Sequence, residues 1–125
     1  MDPLRRQVTN DNALRLLKVI NLLRLLDREV PGQVIATYLY VASHNKCHKG
    51  ALEEDLDFTT ASSSRNTDWL SDHHRLNKPG LGLIKKEQDP NNRRRQQLIL
   101  SQRGEQLLKQ IEELLYGHQD LGPGT

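Results

Sequence analysis

The stretch Ile84–Leu107, IKKEQDPNNRRRQQLILSQRGEQL, is the part of the chain from which the rest can be read. Leu83–Glu87 and Gln97–Leu100 have strand character, and Asp89, Pro90, Asn91 and Asn92 between them are strong turn formers, so the segment predicts a β-hairpin. Three consecutive arginines, Arg93, Arg94 and Arg95, stand at its tip. Ser101 then caps a helix along which Leu107, Leu108, Ile111, Leu114 and Leu115 recur at helical spacing. A basic hairpin anchored at once by a helix is a shape suited to reaching a polyanion.

Upstream of the hairpin, residues 77–82, NKPGLG, read as a turn. The segment TTASSSRNTDWLSDHHRL, residues 59–76, reads as a helix capped by Thr59 or Thr60, with Leu70 inward and Trp69 beside it as a packing residue. Ala51–Phe58 forms a shorter helix with Leu52 and Leu56 inward. The polar linker NKCHKG precedes it. Pro31 and Gly32 open another helix, in which Val34, Ile35, Tyr38, Leu39, Val41 and Ala42 repeat up to about His44.

The first helix starts at caps among Thr9–Asn12 and runs to about Glu29. Ala13, Leu16, Val19, Ile20, Leu22, Leu23 and Leu26 make its inner face, and Leu14, Leu17 and Leu25 flank it. More than half the circumference is apolar, wider than a one-sided surface helix needs, which predicts packing on a second subunit as well. The order is four helices, a hairpin and a helix: mainly α with a small β-hairpin. Residues 1–117 are expected to form one domain, with 118–125 a flexible tail.

A chain of 125 residues suffices for one core without staples, and its single cysteine, Cys47, excludes an internal disulfide framework. No apolar run reaches the length of a membrane span, and MDPLRRQ lacks the apolar core of a signal peptide, so a soluble cytoplasmic protein is expected. Net charge is +2, but His73–Arg103 holds eight Lys/Arg against two acids, +6, leaving −4 on the remainder. Such a basic segment is an electrostatic footprint for a polyanion.

Two short helices joined by a tight turn and followed by a basic hairpin form a winged helix-turn-helix. The wing, Gly82 to Gly104, resembles that of MarR-type transcriptional regulators, whose pattern is roughly G-L-I, polar residues, D-P-x-D-R-R, then apolar-x-L-T-x-x-G. Leu83, Ile84, Asp89, Pro90, Arg93, Arg94, Leu98, Leu100, Ser101 and Gly104 fall on it. LDFTTASSSRNTDWL is similar to that family's helix-turn-helix, through Leu56, Phe58, Thr59, Ala61, Ser62, Ser64, Arg65, Asp68 and Leu70. The resemblance implies a homodimeric DNA-binding regulator, a repressor, with residues 51–100 as helix-turn-helix plus wing and with 10–30 and 101–117 as dimerisation helices. Asn92 replaces the second wing acid, which removes a partner for Arg94. Ser63 and Thr67 occupy positions usually apolar, which predicts a loosely packed or rotated recognition helix. The alternative is a winged-helix module that binds another protein and no specific DNA.

On this reading Thr60, Ser62, Ser64, Arg65 and Asn66 contact DNA from the recognition helix, since hydroxyls, guanidinium and amide groups all bond base edges or phosphates. Asn92, Arg93, Arg94 and Arg95 do so from the wing, two of the arginines facing DNA because strand side chains alternate. Lys85 and Lys86 supply general positive field. Leu14, Leu17, Leu22, Leu25, Leu108 and Leu115 form the dimer interface. The expected partners are double-stranded DNA and a second copy of the chain, with no membrane and no cofactor; nothing supports a small-molecule effector.

Other chemistries are less favoured. His44, Cys47, His48, His73 and His74 have only loose metal-ligand spacing and read as loop residues, so no metal site is expected. Lys46 and His48 would lower the pKa of Cys47, which leaves redox sensing as a lesser reading. Glu53, Glu54, Asp55 and Asp57 read as a solvated acidic face, and no phosphate loop or nucleophile elbow is present, so the chain is not expected to be an enzyme.

Overall fold

The computed structural model describes residues 6–72 and 79–117. Its elements run α1 (Asp11–Leu26), α2 (Gly32–Ser43), β1 (Cys47–His48), α3 (Lys49–Leu56), α4 (Thr60–Leu70), β2 (Ile84–Asp89), β3 (Asn92–Leu100) and α5 (Gln102–Glu112), which continues as a π-helical turn through Gly117. The architecture is α+β, five helices around a small antiparallel sheet ordered β1-β3-β2. The tail residues 118–125 and His73–Lys78, with part of the expected turn at 77–82, lie outside the described residues.

Short polar side chains start the helices. Asn10 caps α1 by accepting from the Ala13 amide, Thr59 caps α4 through Ser62, and Ser101 caps α5 through Gly104. α1 stops at Leu26, three residues before the expected end, because Asp27 turns extended and its Oδ1 accepts from the Glu29 amide. α4 stops at Leu70, short of the expected residue 76, where Ser71 becomes extended. The strands are longer than expected. The two-residue β1, inside the expected linker, pairs Cys47 with Leu98 and His48 with Gln97.

Tyr38, Val34, Val41, Leu52, Leu70, Leu83, Ile84 and Leu98 form the centre of the core, where α2, α3, α4 and the sheet base meet. Tyr38 donates its hydroxyl to the Gly104 carbonyl at 2.7 Å, tying α2 to the start of α5. Burial pushes the Tyr38 hydroxyl well above the ordinary tyrosine range, so it stays a donor. Gly104 is a close-approach position: a β-carbon there would lie 2.0 Å from the Leu83 carbonyl oxygen. Gly80 is another, because the chain returns along the end of α4 and a β-carbon would meet the Ser71 carbonyl oxygen at 1.7 Å.

The first helix departs from its helical-wheel reading. Only Val19 and Leu23 are buried, while Leu16 and Ile20, expected inward, are exposed in the single chain. α1 packs chiefly on the turn after α5, where Arg15 donates to the Leu115 carbonyl, so the winged core covers only a narrow stripe of it. Trp69 packs on the core and donates its indole N–H to Asp27 at 2.7 Å, joining the ends of α4 and α1.

Candidate nucleic-acid interface

Helix α4 divides cleanly by face. Ser63, Asn66, Thr67 and Leu70, at i, i+3, i+4 and i+7, are buried. Thr60, Ala61 and Arg65 are exposed, and Ser62 and Ser64 are half-buried beside them. The Arg65 guanidinium lies along the surface and donates to the Ser62 hydroxyl at 3.1 Å. Thr60, Ser62, Ser64 and Arg65 thus remain available to a partner. Asn66 does not: it faces α2, 6% exposed, and donates to the Gln33 side chain at 3.2 Å. Its placement corrects the expectation of a base-reading amide.

The same face overturns the expectation of a loose helix. Ser63 and Thr67 are fully buried. Thr67 donates back to the Ser63 carbonyl at 2.8 Å, and Ser63 donates to the Glu53 carboxylate on α3. Among the described residues no buried side-chain polar atom lacks a partner. Hydrogen bonds to specific acceptors here take the place of apolar contacts, and a polar group so satisfied carries little burial penalty.

The wing is two strands in antiparallel register, Ile84 opposite Leu100 and Lys86 opposite Leu98, with an irregularity between Gln88 and Asp89 that ends on the pair Asp89–Asn92. Its base is apolar and buried through Leu98 and Leu100, but Asn92, Arg93, Arg94, Arg95 and Gln96 are all exposed. A strand solvated on both faces has no core to cover and projects as an arm. Asn92 accepts from the Arg94 amide at 3.1 Å and so shapes the turn. Lys86 does not supply free positive field: it is ion-paired with Asp68 of α4.

The wing tip is tied back by Asp89. Its Oδ1 accepts from the Asn91 amide at 2.8 Å, and its Oδ2 lies 2.8 Å from His48 Nε2. A carboxylate can only accept, so the imidazole nitrogen carries the proton. The Asn91 amide and His48 hold the Asp89 carboxyl below the ordinary carboxylate range.

Between the wing and the start of α4 lies a cleft lined by Lys49, Glu53, Thr60, Arg93, Arg94 and Arg95. It gathers four cations with one carboxylate beside Thr60, the first residue of α4. Neither Lys49 nor Glu53 is among the residues that the sequence places at a DNA interface. Their i, i+4 spacing on α3 was the available signal, and they pair at 2.7 Å. Glu53 is therefore not part of a solvated acidic face. Burial pushes its carboxyl up, but the bonds from Lys49 and Ser63 outweigh that and hold it below the ordinary range.

Burial also pushes the Cys47 thiol up, opposite to the lowering anticipated from Lys46 and His48. Among the described residues no group of three or more His, Cys, Asp or Glu could hold a metal ion, and His73 and His74 lie outside them. No described helix is long and apolar enough to cross a membrane.

No sequence-family profile matches the chain, and no curated protein is similar to it in sequence. Solved structures are similar in shape. A mutant MarR from E. coli complexed with operator DNA is 20% identical, covering 86% of this chain and 77% of that one, with a TM-score of 0.57. Overoxidized AbfR bound to DNA is 14% identical over 99% and 96% of the two chains, TM-score 0.57. A MarR-like transcriptional regulator from Thermotoga maritima is 21% identical over 86% and 81%, TM-score 0.57. The chain has the winged-helix fold of the MarR-type regulators.

Proposed function

We propose that the protein is a DNA-binding transcriptional regulator, acting as a homodimer on a pseudo-palindromic site and repressing by occupying it. The observation that carries this reading is the cationic cleft in which the arginine wing meets Thr60, the first residue of α4, whose outer face bears Ser62, Ser64 and Arg65. An α-helix fits the major groove, and Thr60, Ser62, Ser64 and Arg65 would meet base edges and phosphates there. Arg93, Arg94 and Arg95 would lie along the flanking backbone or a narrow minor groove, where negative potential favours arginine. Two of the solved structures similar in shape are complexes with DNA, which supports the same assignment.

The dimer has its own support. Leu17 and Leu25 are 52% and 82% exposed in the single chain, Leu16 is 60% exposed and Tyr116 61%. Leu14, Leu22, Leu108 and Leu115 are half-buried around them, and Leu22, Leu25 and Leu114, together with Lys18, Arg24 and Arg28, line a shallow depression between α1 and the turn after α5. Fully covering an exposed leucine is worth about 1.5–3 kcal/mol, and a half-buried one correspondingly less, so a symmetric interface would be favoured. Two-fold symmetry would set the recognition helices one DNA turn apart.

Selection of bound sequences from random DNA, followed by fluorescence polarisation at two salt concentrations, tests the proposal. An enriched inverted repeat bound more tightly than random DNA is the expected result. Equal, weak binding to every sequence would return the protein to the class of winged-helix interaction modules.

A further inference from the structure

The polar inner face of α4 converges on one carboxylate. Glu53 of α3 accepts from Lys49 Nζ at 2.7 Å and from the Ser63 hydroxyl through Oε2, and from the Thr60 hydroxyl at 3.4 Å through Oε1. Thr60 and Ser63 lie in the first turn of α4, where the open face begins. Ser63 also lies 3.1 Å from the Thr60 carbonyl, but its one proton goes to the charged acceptor, the stronger of the two. No apolar residue of the first turn is buried; Leu70, at the far end, is the buried apolar anchor of the helix. The first turn of α4 is therefore held on α3 by directional bonds to Glu53, while Asn66 in the next turn bonds Gln33 of α2.

Directional bonds fix rotation as well as position. A hydrogen bond weakens steeply as its angle is lost, so the Ser63 bond, with the longer 3.4 Å contact from Thr60 one turn earlier, resists rotation of the helix. Lys49 bonds the same Oε2 that Ser63 bonds and balances its charge, with side-chain exposures of 12% and 19% for the pair. We propose that Glu53 is a positioning residue that sets the rotation of α4, and so determines which side chains of its open face meet base edges. The inference rests on the DNA-binding reading, and it makes an unusual prediction. Glu53 is a negative charge beside a cationic cleft, so as a mere charge its removal would tighten binding to all DNA. As a positioning residue its removal would reduce discrimination instead.

The test compares wild type with Glu53→Ala, Glu53→Gln and Ser63→Ala in two measurements. The first is the ratio of affinities for the selected site and for random DNA. Glu53→Ala and Ser63→Ala are expected to lower that ratio about tenfold, the scale of one hydrogen bond to a charged group, with the random-DNA affinity held or raised. Glu53→Gln keeps an acceptor and is expected to retain most of it. The second is amide hydrogen exchange along α4 without DNA, where Glu53→Ala should speed exchange at Ser63–Thr67 relative to α2. Unchanged α4 protection, or a ratio preserved while all affinities rise, overturns the proposal. A wild type that favours no sequence sinks the DNA reading alone, and the exchange measurement still decides the role of Glu53.

Discussion

Gly104 illustrates how one residue can be required by its neighbours rather than by its own backbone. Its amide donates to the Ser101 cap, its carbonyl accepts from Tyr38, and the Leu83 carbonyl fills the space where a side chain would stand. Gly104→Ala is expected to destabilise the fold by about 1–3 kcal/mol, the usual scale of overpacking, because backbone has to move. A lower urea midpoint at unchanged slope would report it, and a wild-type midpoint would contradict the close approach. Asp89 gives a residue-scale prediction in pH. Its folded pKa is depressed, so its contribution is complete above the unfolded carboxylate value of about 3.9 and is lost as pH falls through the lower folded value. Amide exchange at the wing tip, once the intrinsic rate is removed, should therefore rise as pH falls below about 4. Asp89→Asn should abolish the acid-dependent step.

At the scale of elements, the wing and α4 act as one unit. Lys86 of β2 pairs with Asp68 of α4, and His48 ties β1 to the tip through Asp89. The hairpin is thus fixed at its base and near its end, although its distal strand is solvated. The arginines, outside the core packing, are available for phosphates. Arg93→Ala with Arg94→Ala is expected to weaken binding to all sequences alike. It should flatten the slope of log affinity against log salt by about 1 to 2 units, roughly 0.9 for each phosphate that is no longer neutralised. A folded double variant with the wild-type slope would remove the wing from the interface. The Glu53 variants should not flatten that slope, which separates positioning within α4 from charge on the wing.

For the whole molecule, the proposed dimer predicts that Leu25→Glu separates association from folding. Leu25 is 82% exposed in the single chain, so a charge there meets water in a monomer and an apolar surface in a symmetric pair. Light scattering at micromolar concentration is expected to give twice the 14.4 kDa chain mass for wild type and the single mass for the variant. Tight binding to the inverted repeat should disappear with the dimer, since each half-site alone offers only one recognition helix. A wild type at the single-chain mass would refute the interface.

The order of the helices and hairpin, the arginine cluster of the hairpin, a cap at Thr59 or Thr60, the cap at Ser101 and the winged architecture were all legible along the chain. These features depend on local chemistry: turn residues, capping hydroxyls and apolar periodicity act within a few positions of themselves. Other features exist only once distant segments meet. β1 was illegible because two residues carry no period, and only β3 makes them a strand. The inner face of α4 has helical spacing, but Ser63, Asn66 and Thr67 are polar, and a pattern that counts apolar residues passes over them. Thr67 bonds back within its own helix, but Ser63 and Asn66 depend on Glu53 and Gln33, partners 10 and 33 positions away that no local window contains. In α1 the periodicity was plain and still ambiguous. A helix apolar over more than half its circumference does not specify which stripe its own domain will cover, so only the packing of the winged core could expose Leu16 and Ile20 and bury Val19 and Leu23.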